Sequence, residues 1–217
     1  MILEADNIEL SFENLEVLKG IYIKIEKGKI TGLLGNNGSG KSSLLAVLFG
    51  YLSPERKLIR INKKPHLRPL YSKNQAKYLP QHHFMPDDLK VYRAFKLFNV
   101  DWNKFVTLFP LLEKHKTDTF KLLSGGEKRI IEVYLIIKSK TNFVFLDEPF
   151  SHITPVYIET LIDIIHQEKK NKGILITDHM YAHIVNTSDF IFLIKNGCSI
   201  PINQLTQLED YNYVNKL

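Results

Sequence analysis

Cysteine is nearly missing: Cys198 is the only one in 217 residues. That excludes an internal disulfide and a cysteine-rich metal site, and it fits a reducing compartment. Long apolar runs are missing too. Runs such as residues 143–146 and 190–194 are strand-sized, and no apolar run approaches the roughly 18 residues that a membrane-spanning helix needs. If the chain serves a membrane, it is expected to do so through a partner. The start, Met1-Ile-Leu-Glu-Ala-Asp6, has no basic region leading into an apolar stretch, so no secretory leader is expected. Neither charge sign dominates: 29 basic against 23 acidic residues give a net +6. The densest basic stretch, residues 56–68 with Arg56, Lys57, Arg60, Lys63, Lys64 and Arg68, reads as a solvated strand or loop face. There is no internal repeat and no low-complexity segment. No coiled-coil insertion or long basic linker gives nucleic acid a grip, so no direct nucleic-acid partner is expected.

What is present is a phosphate-binding loop. Residues 35–42 read Gly35, Asn36, Asn37, Gly38, Ser39, Gly40, Lys41, Ser42, followed by Ser43. All fixed positions of G-x-x-x-x-G-K-S are filled. An apolar strand-like run, residues 29–34, precedes the loop, and a helix-like run, residues 43–49, follows it. The glycines let backbone N–H groups turn toward phosphates, and the helix start adds positive potential. Lys41 is placed to reach the β- and γ-phosphates, and Ser42 to offer its hydroxyl to Mg²⁺. The ligand class is therefore a nucleoside triphosphate with Mg²⁺.

Around this loop the chain alternates strands and helices. Residues 8–12 and 21–25 read as strands of an antiparallel β-region near the N-terminus, and 57–61 as another strand after the loop helix. Residues 77–79, 142–146, 173–177 and 190–194 read as further strands, and 124–138 and 155–170 as helices. Between 86 and 123 the period becomes helical, with Leu89, Tyr92, Phe95, Lys96, Phe98 and then Phe105, Leu108, Phe109, Leu111 and Leu112 recurring at helix-like spacing. The expected fold is α/β. It has a mainly parallel sheet with a P-loop core, an N-terminal antiparallel β-subdomain and a helical subdomain inserted over 82–123, all within one domain over 1–217. In residues 202–217, Leu205, Leu208, Tyr211 and Tyr213 are expected to pack back on the core or on a partner.

Two further segments carry chemistry. Residues 143–148, Phe-Val-Phe-Leu-Asp-Glu, end an apolar strand in two carboxylates. Asp147 is placed to hold Mg²⁺, through water or with Ser42, and Glu148 to orient or deprotonate an attacking water. Leu123-Ser124-Gly125-Gly126-Glu127 opens a helix with a capping box between Ser124 and Glu127. Two glycines leave its first amides bare, which makes a second anion-binding helix start in the same chain. Two such starts for one nucleotide suggest a dimer, with each ATP between one chain's phosphate loop and the other's Ser124 segment.

Taken in order, these motifs resemble the nucleotide-binding subunit of ATP-binding cassette (ABC) transporters over nearly the whole chain. Residues 35–42 match Walker A, Gln81 the Q-loop, 123–127 the signature, 143–148 Walker B, and Thr177-Asp178-His179 the switch-histidine segment. The resemblance implies that Phe12 stacks on adenine and that Gln81 senses Mg²⁺ or water. It implies that Glu148 and His179 act with Lys41 in hydrolysis, His179 reaching the γ-phosphate, and that Ser42, Gln81 and Asp147 surround the metal. It also implies a cytoplasmic ATPase, peripheral on the membrane, forming homo- or heterodimers and driving integral permease subunits. The aromatic and Met residues of 82–86, with Tyr92, Phe95 and Phe98, are candidates for a groove that takes a helix of such a partner. His82 and His83 are adjacent and diverge, with no third ligand near, so no metal pair is expected there. One position departs from the pattern: Thr154 stands where the family usually has the D-loop Asp, which leaves coupling between two ATP sites without that charge. The competing reading is a soluble ATPase of the same type acting on ribosomes or nucleic acid without a membrane partner.

Overall fold

The computed structural model describes residues 1–13 and 15–214. β1 (Ile2–Phe12), β2 (Leu15–Glu26), β3 (Ile30–Gly35), α1 (Lys41–Phe49), β4 (Arg56–Ile61), β5 (Lys64–Pro65) and β6 (Ala76–Leu79) come first. Then follow α2 (Val91–Phe98), α3 (Trp102–Leu108), α4 (Gly125–Lys138), β7 (Phe143–Asp147) and α5 (Pro155–Glu168). β8 (Gly173–Thr177), α6 (Tyr181–Thr187), β9 (Phe190–Lys195), β10 (Cys198–Ile202) and α7 (Gln207–Asp210) complete the order. One sheet is antiparallel, in the order β2-β1-β4-β5. The other runs β10-β9-β3-β8-β7-β6 and is parallel except for the β9–β10 hairpin. The expected α/β architecture is therefore present.

β3, β7 and β8 are buried along their whole length, as strands covered on both faces must be. Their side chains divide by the period of two. Leu33, Phe143, Phe145 and Leu175 join one core with α1 and the antiparallel sheet. Leu34, Val144, Leu146, Ile174 and Ile176 join a second core with α2, α3, α4 and α5. α4 is buried continuously from Arg129 to Ile137. α2 and α3 are fixed to it by rings: Phe95 lies 4.9 Å edge-on to Trp102, and Phe105 lies 4.9 Å from Tyr134. Phe95 is therefore core rather than groove, whereas Leu97, Leu108, Leu111 and Leu122 are exposed.

Some boundaries differ from the sequence reading. β1 begins at Ile2, not Ile8, because a register shift between Ala5 and Ile8, with Asn7 at φ 49°, breaks the alternation that periodicity detects. α5 stops at Glu168 and passes into a short 3₁₀ turn, Lys169–Asn171. α6 carried no strong period and went unread. Leu208 is fully buried, and Tyr211 and Tyr213 pack against the same core, while Leu205 is exposed. The C-terminal part of that expectation, residues 215–217, lies outside the described residues.

Candidate active site

In a parallel sheet the carboxyl ends of all strands share one edge, and binding crevices form there. The loop after β3 holds the phosphate-loop residues, the loop after β6 holds Gln81, the end of β7 holds Asp147 and Glu148, and the end of β8 holds Asp178 and His179. Of these, Asn37, Gly38, Ser39, Gly40, Lys41, Ser42, Ser43, Gln81, Glu148 and His179 line a cleft of about 560 Å³, whereas Asp147 and Asp178 are buried outside its lining. Phe12, at the end of β1 and 48% exposed, stands at its rim with a free ring face. Gly35 and Asn36 sit at the back of the same loop, toward Tyr213.

Lys41 is nearly buried, and its Nζ donates to the Gly35 and Asn36 carbonyls at 2.7 and 3.1 Å. Burial pushes its ammonium down in pKa, and the fields of Glu148 and Asp147 work against that. No ion pair joins it to a carboxylate within 4.0 Å among the described residues. Gly40 holds φ 96°, and a Cβ there would come within 2.8 Å of Leu18 and 2.9 Å of Val17, which only glycine avoids.

The carboxylates differ in setting. Asp147 is 1% exposed, its Oδ2 accepts from the Tyr78 hydroxyl at 3.1 Å, and its Oδ1 has no hydrogen-bond partner among the described residues. Burial raises its pKa, with the nearby Ser42 and Tyr78 hydroxyls opposing. Glu148 reaches into the cleft. Its Oε2 accepts from Gln81 Nε2 at 3.1 Å and Ser151 Oγ at 3.3 Å, with His179 Nδ1 at 3.6 Å. Its backbone is left-handed, φ 50°, a strained conformation for a residue with a side chain. Asp178, buried and pushed up in pKa by that burial, accepts from the Phe150 and Met180 amides at 3.2 and 3.0 Å, pinning the segment on which His179 rides.

The Ser124 helix start stands apart. Ser124, Gly125, Gly126 and Glu127 form the expected capping box, with Glu127 Oε2 accepting from Ser124 N at 2.8 Å and Ser124 Oγ from Glu127 N at 3.3 Å. None of them lines the cleft. A Cβ on Gly126 would meet the His152 carbonyl at 2.6 Å, so the signature start lies against the turn after β7. Glu127 Oε1 also meets His115 Nε2 at 3.1 Å. Thr154 occupies the N-cap position of α5 without a side-chain capping bond. His83 Nδ1 meets Glu132 at 2.8 Å, and His82 is exposed.

Sequence reasoning missed Tyr78 and Arg129. Tyr78 looked like one more strand residue. Arg129 donates to the carbonyls of Pro80, Asp147 and Glu148 at 2.7, 2.5 and 2.8 Å. The available signal was a charged residue within a helix apolar on every side, where a charge has to find a buried partner.

The family model described as "ABC transporter" matches residues 18–151. The spermidine/putrescine import ATP-binding protein PotA of Fusobacterium nucleatum is 30% identical over 211 residues, 88% of this chain and 54% of that protein. This chain thus spans about half of PotA's length. The lipopolysaccharide export system ATP-binding protein LptB of Haemophilus influenzae is 26% identical over 214 residues, 90% of this chain and 88% of LptB. A solved ATP-binding subunit of an ABC transporter superposes with a TM-score of 0.80 at 21% identity, covering 98% of this chain and 94% of its own, which speaks for the fold alone. With its motifs gathered on one strand edge and the family match running over more than half its length, the chain belongs to the ABC transporter family, as an ATP-binding ATPase.

Proposed function

We propose that this chain is the subunit that binds and hydrolyses ATP for an ABC transporter, pairing with a second ATP-binding chain over two Mg-ATP and driving separate integral membrane permease subunits. The observation that carries this is the division of the motifs. The cleft gathers Lys41, Ser42, Gln81, Glu148 and His179, while the anion-binding start at Ser124–Glu127 lies outside it. A second chain's signature segment would close each cleft.

Mg²⁺ fits the residues present. The buried, unpartnered Asp147 Oδ1 and the Ser42 hydroxyl are hard oxygen donors, the kind that ion takes with phosphates and water. When bound, it would supply neutralisation of the phosphate charge, held by Asp147 and Ser42. The chain's own residues do the rest. Lys41 exchanges its two carbonyl partners for phosphate oxygens. Phe12 stacks on adenine. Gln81 and His179 hold the Glu148 carboxylate, which orients the attacking water and accepts its proton. Thr154, uncharged at the usual Asp position, leaves coupling between the two sites to hydrogen bonding.

No helix among the described residues is long and apolar enough to cross a membrane. Of the relatives named above, PotA is an import and LptB an export ATP-binding protein, and ATP binding is what their names share. The proposed location is the cytoplasmic face of the membrane. The exposed Leu97, Leu108, Leu111 and Leu122, with half-buried Phe84, Tyr92 and Phe98, are the proposed contact for a permease helix. The inserted helical subdomain, 82–123, is proposed as the lever between them within the single domain 1–217.

The test is a detergent pull-down of tagged Glu148→Gln protein from its native cells with Mg-ATP present. A multi-spanning membrane protein and a second ATP-binding chain are expected with it. Ribosomal proteins or nucleic acid without any membrane protein would overturn the proposal.

A further inference from the structure

α4 sends two buried side chains, one turn apart, to the segment that carries Gln81. Arg129, 2% exposed, donates Nη1 to the Pro80 carbonyl at 2.7 Å and Nη2 to the Asp147 and Glu148 carbonyls at 2.5 and 2.8 Å. Glu132, 0% exposed, accepts from the Phe84 and Met85 amides through Oε1 at 2.9 and 3.2 Å, and meets His83 Nδ1 through Oε2 at 2.8 Å. The two side chains approach each other only to 3.9 Å. Gln81 and His82 are thus straddled, one foot of α4 on the residue before them and the other on the three after.

The acceptors at Pro80, Asp147 and Glu148 lie at or beyond the last β6–β7 pair, Leu79 with Leu146, where that ladder ends. A guanidinium is planar and forked, and it satisfies three carbonyls at once, which a single ammonium cannot do in the same geometry. It therefore fixes, through the backbone, both ends of the Gln81–Glu148 hydrogen bond of 3.1 Å. It also holds the carbonyl of the one strained carboxylate in the cleft.

We propose that Arg129 is a positioning residue for hydrolysis. With Glu132 as its counterpart, it sets Gln81 against Glu148 and ties both to the helix that begins at the signature segment. α4 rises about 1.5 Å per residue, so the backbone of Arg129 lies roughly 7.5 Å along the helix from the Ser124 cap. A displacement of that cap is delivered to the carbonyls of Asp147 and Glu148. This rests on the reading of Glu148 as the residue that orients the attacking water.

The experiment compares the purified full chain with Arg129→Lys, Glu148→Gln and the double variant. Its readouts are steady-state ATP hydrolysis, affinity for a fluorescent ATP analogue and thermal unfolding. Arg129→Lys should lower kcat about 100-fold while leaving KM and the analogue's Kd within about threefold, because positioning is lost and binding is not. In the Glu148→Gln background it should cost nothing more, since it acts through Glu148. An unchanged kcat, or a loss that adds in full to that of Glu148→Gln, overturns the proposal. If Glu148→Gln itself hydrolyses at the parental rate, the underlying reading of Glu148 has failed instead, and this proposal falls with it. Should Arg129→Lys not fold, Glu132→Gln takes its place in the same cycle, with an expected loss of about tenfold, and the same outcomes decide.

Discussion

Replacing Tyr78 by Phe removes one oxygen and tests how Asp147 is supported. The hydroxyl donates to Asp147 Oδ2 at 3.1 Å, and Oδ1 has no partner among the described residues, so the substitution strips a buried carboxylate of a main support. The ring keeps its place, 5.5 Å from that of Phe49. A hydrogen bond to a charged, buried acceptor contributes about 2 kcal/mol, which in a domain of this size lowers the melting temperature by roughly 4–8 °C. The pH dependence has a definite sign. Burial raises the folded pKa of Asp147, so its ionised form burdens the fold above that pKa, and the burden eases as pH falls through it and the carboxyl takes up a proton. The gap between parent and Tyr78→Phe should therefore be widest at neutral pH and narrow on acidification. It should also narrow with Mg-ATP, when a cation takes over support of the carboxylate. Thermal unfolding at several pH values, with and without Mg-ATP, reads all of this. A melting temperature unchanged at neutral pH refutes the reasoning, as does a penalty of the same size in an Asp147→Asn background, because the hydroxyl would then be acting on something else.

Other substitutions separate fold from function. Phe12→Ala should leave stability within about 0.5 kcal/mol, since the ring is half exposed, yet weaken ATP binding roughly fivefold through lost stacking, read by titration with a fluorescent analogue. Asp189→Asn should cost about 1–3 kcal/mol at neutral pH by urea unfolding. Burial pushes the Asp189 carboxyl up, but the Ile30 amide with Lys169 and Lys29 brings it below the ordinary range, so the stability it gives is present above the unfolded value and lost as pH falls through the folded one; the two curves should merge there. Glu148→Asn should raise the melting temperature, because Asn accepts a left-handed backbone at less cost, while ATP hydrolysis is lost; a lower melting temperature would show that φ 50° carries no strain.

The core of the fold was legible because its strands are short apolar runs bounded by turns, and a strand buried on both faces leaves that mark in sequence. The residues of the cleft were legible for a related reason. Each sits just past the end of such a run, so locating β3, β6, β7 and β8 also located the loops after them. Contacts made across elements were not legible. Tyr78 and Asp147 are neighbours only because β6 pairs with β7, and nothing near Tyr78 in sequence says so. Arg129 and Glu132 have the spacing of an ordinary surface ion pair. They are buried because the helix around them, with Ile130, Ile131, Val133 and Tyr134, is apolar on all sides, and what they bind is main chain from two other segments.

That arrangement explains how strain can persist at the cleft. A left-handed residue with a side chain costs about 1 kcal/mol or more, and it survives only where its surroundings hold it. Glu148 is held through its amide, which donates to the Thr177 carbonyl at 2.8 Å, and through its carbonyl, which accepts from Arg129. Neither contact uses the carboxylate. The side chain is left to meet Gln81, Ser151 and His179 at 3.1 to 3.6 Å, all by contacts that a nucleotide and water can replace. The backbone is thus fixed from the core side while the carboxylate stays exchangeable on the solvent side. The fixing groups come from β8 and α4, the elements that carry His179 and the signature start.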